Sequence, residues 1–392
     1  MSHTPAATPE IPASRYRDRQ DRLAGLVEDR GFEAILVGVG PDLEYLTGYR
    51  ALPLERLTML VVARGADPFL VVPRLERAAA EAGTRVSLQI RTWEETEDPY
   101  TLALSGIPAA RDREARFAVS DGLWALHLLA FQAHLADDDR FDAYAFGLAS
   151  SLLGELRAIK DPDEIALLRL AAHAADRVVA AIAAGPLVGR TEADVAREVR
   201  ERLIAEGHDE ASFAIVASGS NAASPHHDAT DRAIRAGEPI VLDIGGSLGG
   251  YGSDITRTLW VSGRDDMAPP APRFAELFAV LRDAQALATA AVRPGVACQA
   301  IDAAARDPIG AAGHGDAFFH RTGHGIGLDG HEDPYLVAGN ALHLRPGMAF
   351  SVEPGIYYPG DYGARIEDIV VCGDDGPIVL NEAPRDLAVV PG

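Results

Sequence analysis

Residues 241–258 read VLDIGGSLGGYGSDITRT, and the first aspartate of this stretch limits what it can become. Asp243 closes an apolar run with the composition of a strand. A charged, unpaired carboxylate buried there would cost several kcal/mol by rough estimate. Asp254 opens the next strand, after a glycine-rich turn. Strands joined this way are expected to be neighbours, which brings the two carboxylates together. Like charges repel, so a cation between them is the natural resolution. A strand-end cap plus a turn aspartate would also account for this segment, which alone does not choose between the two.

The same logic recurs in FSVEPGIYYPGDYGARIEDIVVC, residues 350–372. Glu353 ends one apolar strand, and Glu367 falls inside another, read as Ile366–Val371. Strand side chains alternate, so Arg365 and Glu367 are expected on one face and Asp368 on the other. A glutamate in a buried strand is rare unless paired or metal-bound. A salt bridge to Arg365 would explain Glu367 and leave Glu353 unexplained. Between these segments lies HRTGHGIGLDGHEDP, with His320, His324 and His331 among glycines that let backbone approach a ligand. A further pair, His226 and His227, sits in SPHHDATDR, and one of the two reads as a solvated turn residue. Four carboxylates and an imidazole suit manganese, cobalt, iron or zinc. Such a set can hold two ions about 3.5–4 Å apart, which generate hydroxide and polarise a carbonyl.

The rest of the chain frames this centre. At 392 residues two domains are expected. From Arg15 to about Phe146, strands (Ala34–Val37, Leu57–Ala63, Phe69–Val72, Val86–Ile90, Phe117–Val119) alternate with helices (Arg15–Arg30, Leu75–Ala82, Gly122–His134). That pattern predicts an α/β domain with a mixed sheet over 15–155, after a disordered tail at 1–14. Asp161-Pro162-Asp163-Glu164 is a strong helix start, and Thr191 with Asp194 begins another helix. Beyond Glu210, strands separated by short turns predict an α+β domain over 156–392, with helices on a curved antiparallel sheet. The net charge of −22 argues against nucleic acid or an anionic membrane as partner. Two cysteines make no disulfide framework. No run reaches membrane-spanning length, and MSHTPAATPEIPAS lacks the apolar core of a signal peptide. A cytoplasmic setting is expected.

Together these segments resemble the pita-bread metallopeptidases: methionine aminopeptidase, aminopeptidase P and Xaa-Pro dipeptidase (prolidase). The N-terminal part, 15–155, resembles the creatinase/prolidase N-terminal domain, most visibly in PDLEYLTGY at 41–49. The resemblance implies two divalent ions, manganese first, on Asp243, Asp254, His324, Glu353 and Glu367, with Asp254 and Glu367 shared by both ions. It implies that Glu353 also shuttles a proton, that His226 and His331 contact the substrate carbonyl, and that His320 and Arg365 support the substrate and the metal ligands. The implied activity is hydrolysis of Xaa-Pro dipeptides by a homodimer acting on small peptides. Aminopeptidase P, a broad dipeptidase, and a non-peptidase hydrolase or lyase on the same fold are the alternatives. Creatinase needs no metal, and a binding module that lost catalysis should show broken ligands; neither matches the intact set. One departure stands out: Tyr335 occupies the place where some prolidases have an arginine that holds the substrate carboxylate. An arginine elsewhere, or a partner-subunit residue, would have to replace it.

Overall fold

The computed structural model describes residues 8–111, 113–263 and 267–391. Half of the expected N-terminal tail, residues 1–7, lies outside them; residues 8–12 have no regular structure, and the first helix starts at Ala13. The chain divides into two units, Ile11–Arg157 and the residues from Ala158 onward, the latter joined by residues 8–10.

The first unit is built on a six-stranded sheet. In chain order it runs α1 (Ala13–Asp29), β1 (Ala34–Gly38), α2 (Pro41–Thr47), β2 (Met59–Ala63), β3 (Phe69–Pro73), α3 (Arg77–Gly83), β4 (Gln89–Trp93), α4 (Pro99–Leu104), β5 (Ala115–Val119), α5 (Ala125–Ala136), β6 (Tyr144–Leu148) and α6 (Ser150–Ala158). The strand order is β4-β3-β2-β1-β5-β6. The β1–β2 and β2–β3 pairs are antiparallel, while β1–β5, β3–β4 and β5–β6 are parallel. Strands β1, β2 and β3 are buried along their whole length, as expected of central strands covered on both faces. One core runs from Leu36 and Val61 through Phe69 and Phe117 to Phe131.

The second unit continues with α7 (Pro162–Ala183), α8 (Glu192–Ala205), β7 (Glu210–Ser218), β8 (Glu238–Leu248), β9 (Tyr251–Val261), α9 (Pro272–Ala291), α10 (Cys298–Ala311), β10 (Gly323–Gly325), β11 (Glu332–Leu336), β12 (Ala349–Val352), β13 (Gly355–Tyr358), β14 (Tyr362–Arg365), β15 (Asp368–Cys372), β16 (Pro377–Val379) and β17 (Ala388–Val390). Asp161 and Glu164 close a reciprocal capping box at the start of α7. Among the described residues the strands form three sheets rather than one: β17-β9-β8-β7, β11-β10-β12-β15-β16, and the hairpin β13-β14. Pairing is antiparallel except that β17 runs parallel to β9. Helices α7 and α8 share a core with β7–β9. A second core joins α9 and α10 to β12, β15 and the hairpin.

Two local outcomes differ from the sequence reading and shape the centre. The glycines after Asp243 belong to strand, not turn. Strands β8 and β9 pair from Glu238–Val261 to Leu248–Tyr251, around a turn at Gly249 and Gly250 with φ of 58° and 91°. Within β8, a side chain on Gly246 would meet Glu210 O at 2.0 Å, so glycine there permits close packing of β7. The glycines around His324 likewise face neighbouring strands rather than a ligand. A Cβ at Gly323 would lie 1.9 Å from Ser351 O, and one at Gly325 2.2 Å from Asp333 O. They let β10 nest between β12 and β11 and carry His324 into the interior.

Candidate metal centre

Every expected ligand lies in the second unit. Asp243 pairs with Thr256, and Gly245 with Asp254, so the two aspartates are diagonal neighbours on one face of the β8–β9 hairpin. His324 comes from β10, and Glu353 follows the last residue of β12. Glu367 does not sit inside a strand. It precedes β15, where its N–H donates to Thr256 O at 3.1 Å and its carboxylate accepts from Thr256 Oγ1 at 2.7 Å. Nor is it the partner of Arg365. That guanidinium ends β14 and pairs with Asp243.

One donor atom each from Asp254, His324 and Glu367 fall within 4.8 Å of one another. His324 Nε2 lies 3.3 Å from Glu353 Oε1 and 3.7 Å from Asp254 Oδ2. Its Nδ1 is 3.1 Å from Gly325 O, which fixes the proton there and aims the Nε2 lone pair at the carboxylates. Burial pushes the imidazole down to about 3, so it is neutral at pH 7. Burial raises Asp254, Glu353 and Glu367, and repulsion from the nearby Asp243 carboxylate adds to this in all three; Glu353 rises to about 7. One oxygen each of Asp243 and Glu367 is buried without a hydrogen-bond partner. Four carboxylates face one guanidinium and an imidazole lone pair. Orphaned acceptors, raised carboxyls and an inward lone pair are what a divalent cation would satisfy, so the donor set fits one.

Around this set lie the other expected residues. His331 packs against His324 with ring centroids 3.9 Å apart and ring planes tilted by 41°. His320 Nε2 is 3.0 Å from Tyr357 OH, which in turn accepts from Arg365 Nη1 at 2.9 Å. Burial lowers His320 to about 3 and raises Tyr357 to about 12. His226 is exposed, and it lies near enough to both His320 and His331 to interact with them. Its neighbour His227 is turned away, with Nε2 2.9 Å from Glu192. Sequence reasoning missed Tyr357, Glu192 and Asp302. Asp302, on α10, accepts from Thr322 N and Oγ1 and so fixes the entry to β10. Nothing in their spacing sets these three apart. Glu192 reads as an ordinary acid in the first turn of a helix.

Comparison with known proteins agrees with this geometry. Residues 166–374 match the model of metallopeptidase family M24, and residues 19–159 that of the creatinase/prolidase N-terminal domain. The probable dipeptidase PepE of Mycobacterium tuberculosis is 45% identical over 97% of this chain and 98% of its own length. The Xaa-Pro dipeptidase of Lactobacillus helveticus is 33% identical over 95% and 98%. Among solved structures, dipeptidase PepE from Mycobacterium ulcerans superposes with a TM-score of 0.86 at 43% identity, covering 98% of this chain and all of the other. Prolidase from Thermococcus sibiricus gives 0.85 at 34%, covering 95% and 98%. With matches of this extent over both units, the chain belongs to metallopeptidase family M24 and carries a creatinase/prolidase N-terminal domain ahead of the pita-bread unit.

Proposed function

We propose that this metal-dependent exopeptidase hydrolyses dipeptides, with Xaa-Pro as the preferred bond. The observation that carries the reading is the buried cluster of Asp254, His324 and Glu367, with Glu353 beside it, in a chain so similar to dipeptidases. Asp243, Asp254, His324, Glu353 and Glu367 would hold two divalent ions, which when bound supply water activation and carbonyl polarisation. Glu353, raised by burial, takes the proton of the attacking water and passes it to the departing amine. His226 and His331 donate to the oxygen of the tetrahedral species. The His320–Tyr357–Arg365 chain keeps Asp243 oriented through the Arg365 guanidinium. Manganese, a homodimer and a cytoplasmic setting belong to the same proposal. An oxygen-rich donor set supports the first, family likeness the second, and two buried, unbridged cysteines the third.

Tyr335 in place of a carboxylate-binding arginine favours a broader dipeptidase as the second reading. Manganese-loaded protein offered an Xaa-Pro dipeptide, an Xaa-Pro tripeptide and an Xaa-Leu dipeptide, with and without chelator, separates these. Chelator-sensitive cleavage of the Xaa-Pro dipeptide is expected. Preference for the tripeptide would make it an aminopeptidase P, and equal cleavage of Xaa-Leu a general dipeptidase. Bound metal without cleavage of any would point to a non-peptidase member of the fold.

A further inference from the structure

The geometry points to Arg321 as the residue that binds the substrate's C-terminal carboxylate, replacing from a different strand entry the cation that position 335 lacks. This inference rests on the dipeptidase reading above. Arg321 immediately precedes Thr322, at the entry to β10, and its guanidinium carbon lies 4.5 Å above the centre of the Tyr335 ring. A tyrosine face holds a guanidinium by cation–π attraction without neutralising it. Position 335 thus still presents a positive charge, supplied by a neighbour in space rather than in sequence.

Three further observations support this role. The other arginines that reach toward the centre are committed to carboxylates: Arg365 to Asp243, Arg306 to Asp302 and Arg257 to Asp368. Among the described residues no ion pair ties Arg321 to a carboxylate. Its position is also right for a dipeptide. Arg321 Nη2 is 3.4 Å from His331 Nδ1, and the His331 ring packs at a tilt against His324. A dipeptide whose scissile carbonyl sits at the metal ligands carries its carboxylate one residue further out, and Arg321 is separated from His324 by a single intervening ring, that of His331. Finally, the 3.4 Å contact exceeds the usual hydrogen-bond range, so the guanidinium keeps its fork for a carboxylate, which it can bind bidentately.

The test compares an Xaa-Pro dipeptide with its C-terminal amide, using manganese-loaded wild type, R321A, R321K and the double variant R321A/Y335R. Wild type should favour the free acid. R321A should raise KM for the acid by about 10- to 100-fold, as expected for a lost charge-assisted pair, and bring the acid-to-amide ratio of kcat/KM toward one. R321K should retain part of the preference, and R321A/Y335R should restore it from the other position. Equal loss on acid and amide in R321A would mean that Arg321 only orients His331 and would overturn the inference. So would an unchanged KM for the acid in R321A of unaltered thermal stability. No dipeptide cleavage by wild type would overturn the dipeptidase reading and this inference with it, a result distinct from the other two.

Discussion

Asp254 and Glu367 are the residues whose burial makes least sense without a cation. Each is almost wholly inaccessible, each is raised first by burial and then by neighbouring carboxylates, and Glu367 keeps an orphaned oxygen. Replacing Glu367 by Ala should drop bound metal from about two ions per chain and reduce kcat by at least about a thousandfold. Replacing the exposed His226 should leave metal content unchanged and lower kcat by roughly 10²–10³-fold, the usual loss for one donor to a developing oxyanion. Elemental analysis alongside kinetics checks both, and full activity of metal-loaded E367A would remove Glu367 from the ligand set. These residues were legible in the sequence because a carboxylate in an apolar run breaks an expectation of burial. Tyr357 was not, because a buried tyrosine breaks none. Its role comes only from meeting His320 and Arg365 in space.

At the level of elements, segments with an uninterrupted pattern were legible and those broken by glycine or proline were not. Helices α1, α7, α8 and α9 and strands β1, β2, β3 and β12 fall within a few residues of where the pattern places them. Strands β10, β11, β13 and β14, of three to five residues each, were missed because glycine or proline interrupts their alternation. Helix α10 was missed too, with Pro308 inside it. The first turn of α8 shows what an element boundary can conceal. Glu192 there is fully buried and accepts from Ser218, Asn221, His227 and Thr230, pinning the segment that presents His226. Burial opposes its charge, but these hydrogen bonds prevail and hold the carboxyl down at about 2, against 4.5 unfolded. The folded state therefore binds fewer protons than the unfolded one between those values. This contribution, on the order of 3 kcal/mol, is present above about pH 4.5 and is lost as pH falls toward about 2. E192Q places an amide donor among donors, so it should be less stable than wild type by about that much at pH 7. The gap should narrow below pH 4.5 in urea unfolding of chelated protein. A gap independent of pH would assign the effect to packing instead of charge.

Across the whole molecule, the α/β character of the first part and the α+β character of the second were legible because strand–helix alternation ends near Phe146 and strands separated by short turns follow Glu210. How the second part divides its strands among three sheets was not, since that depends on pairings between residues far apart in sequence, such as Ile369 with Ser351. The two units carry separate cores, and all five candidate ligands belong to the one beginning at Ala158. An ion that binds only the folded state adds stability to the unit that holds it, about 2.7 kcal/mol at a hundredfold excess over Kd. For a unit of this size that is a rise in Tm of about 5–10 °C. Scanning calorimetry should therefore resolve two transitions, and chelator should lower one by about that interval while the other stays in place. Loss of near-ultraviolet signal from Trp260, which sits in the second unit's core, should accompany the transition that moves. Trp93, in the core of the first unit, should report the one that does not. A single transition shifting as a whole would mean that the units unfold together, whereas no shift at all would mean that the carboxylates hold no ion, leaving their burial unaccounted for.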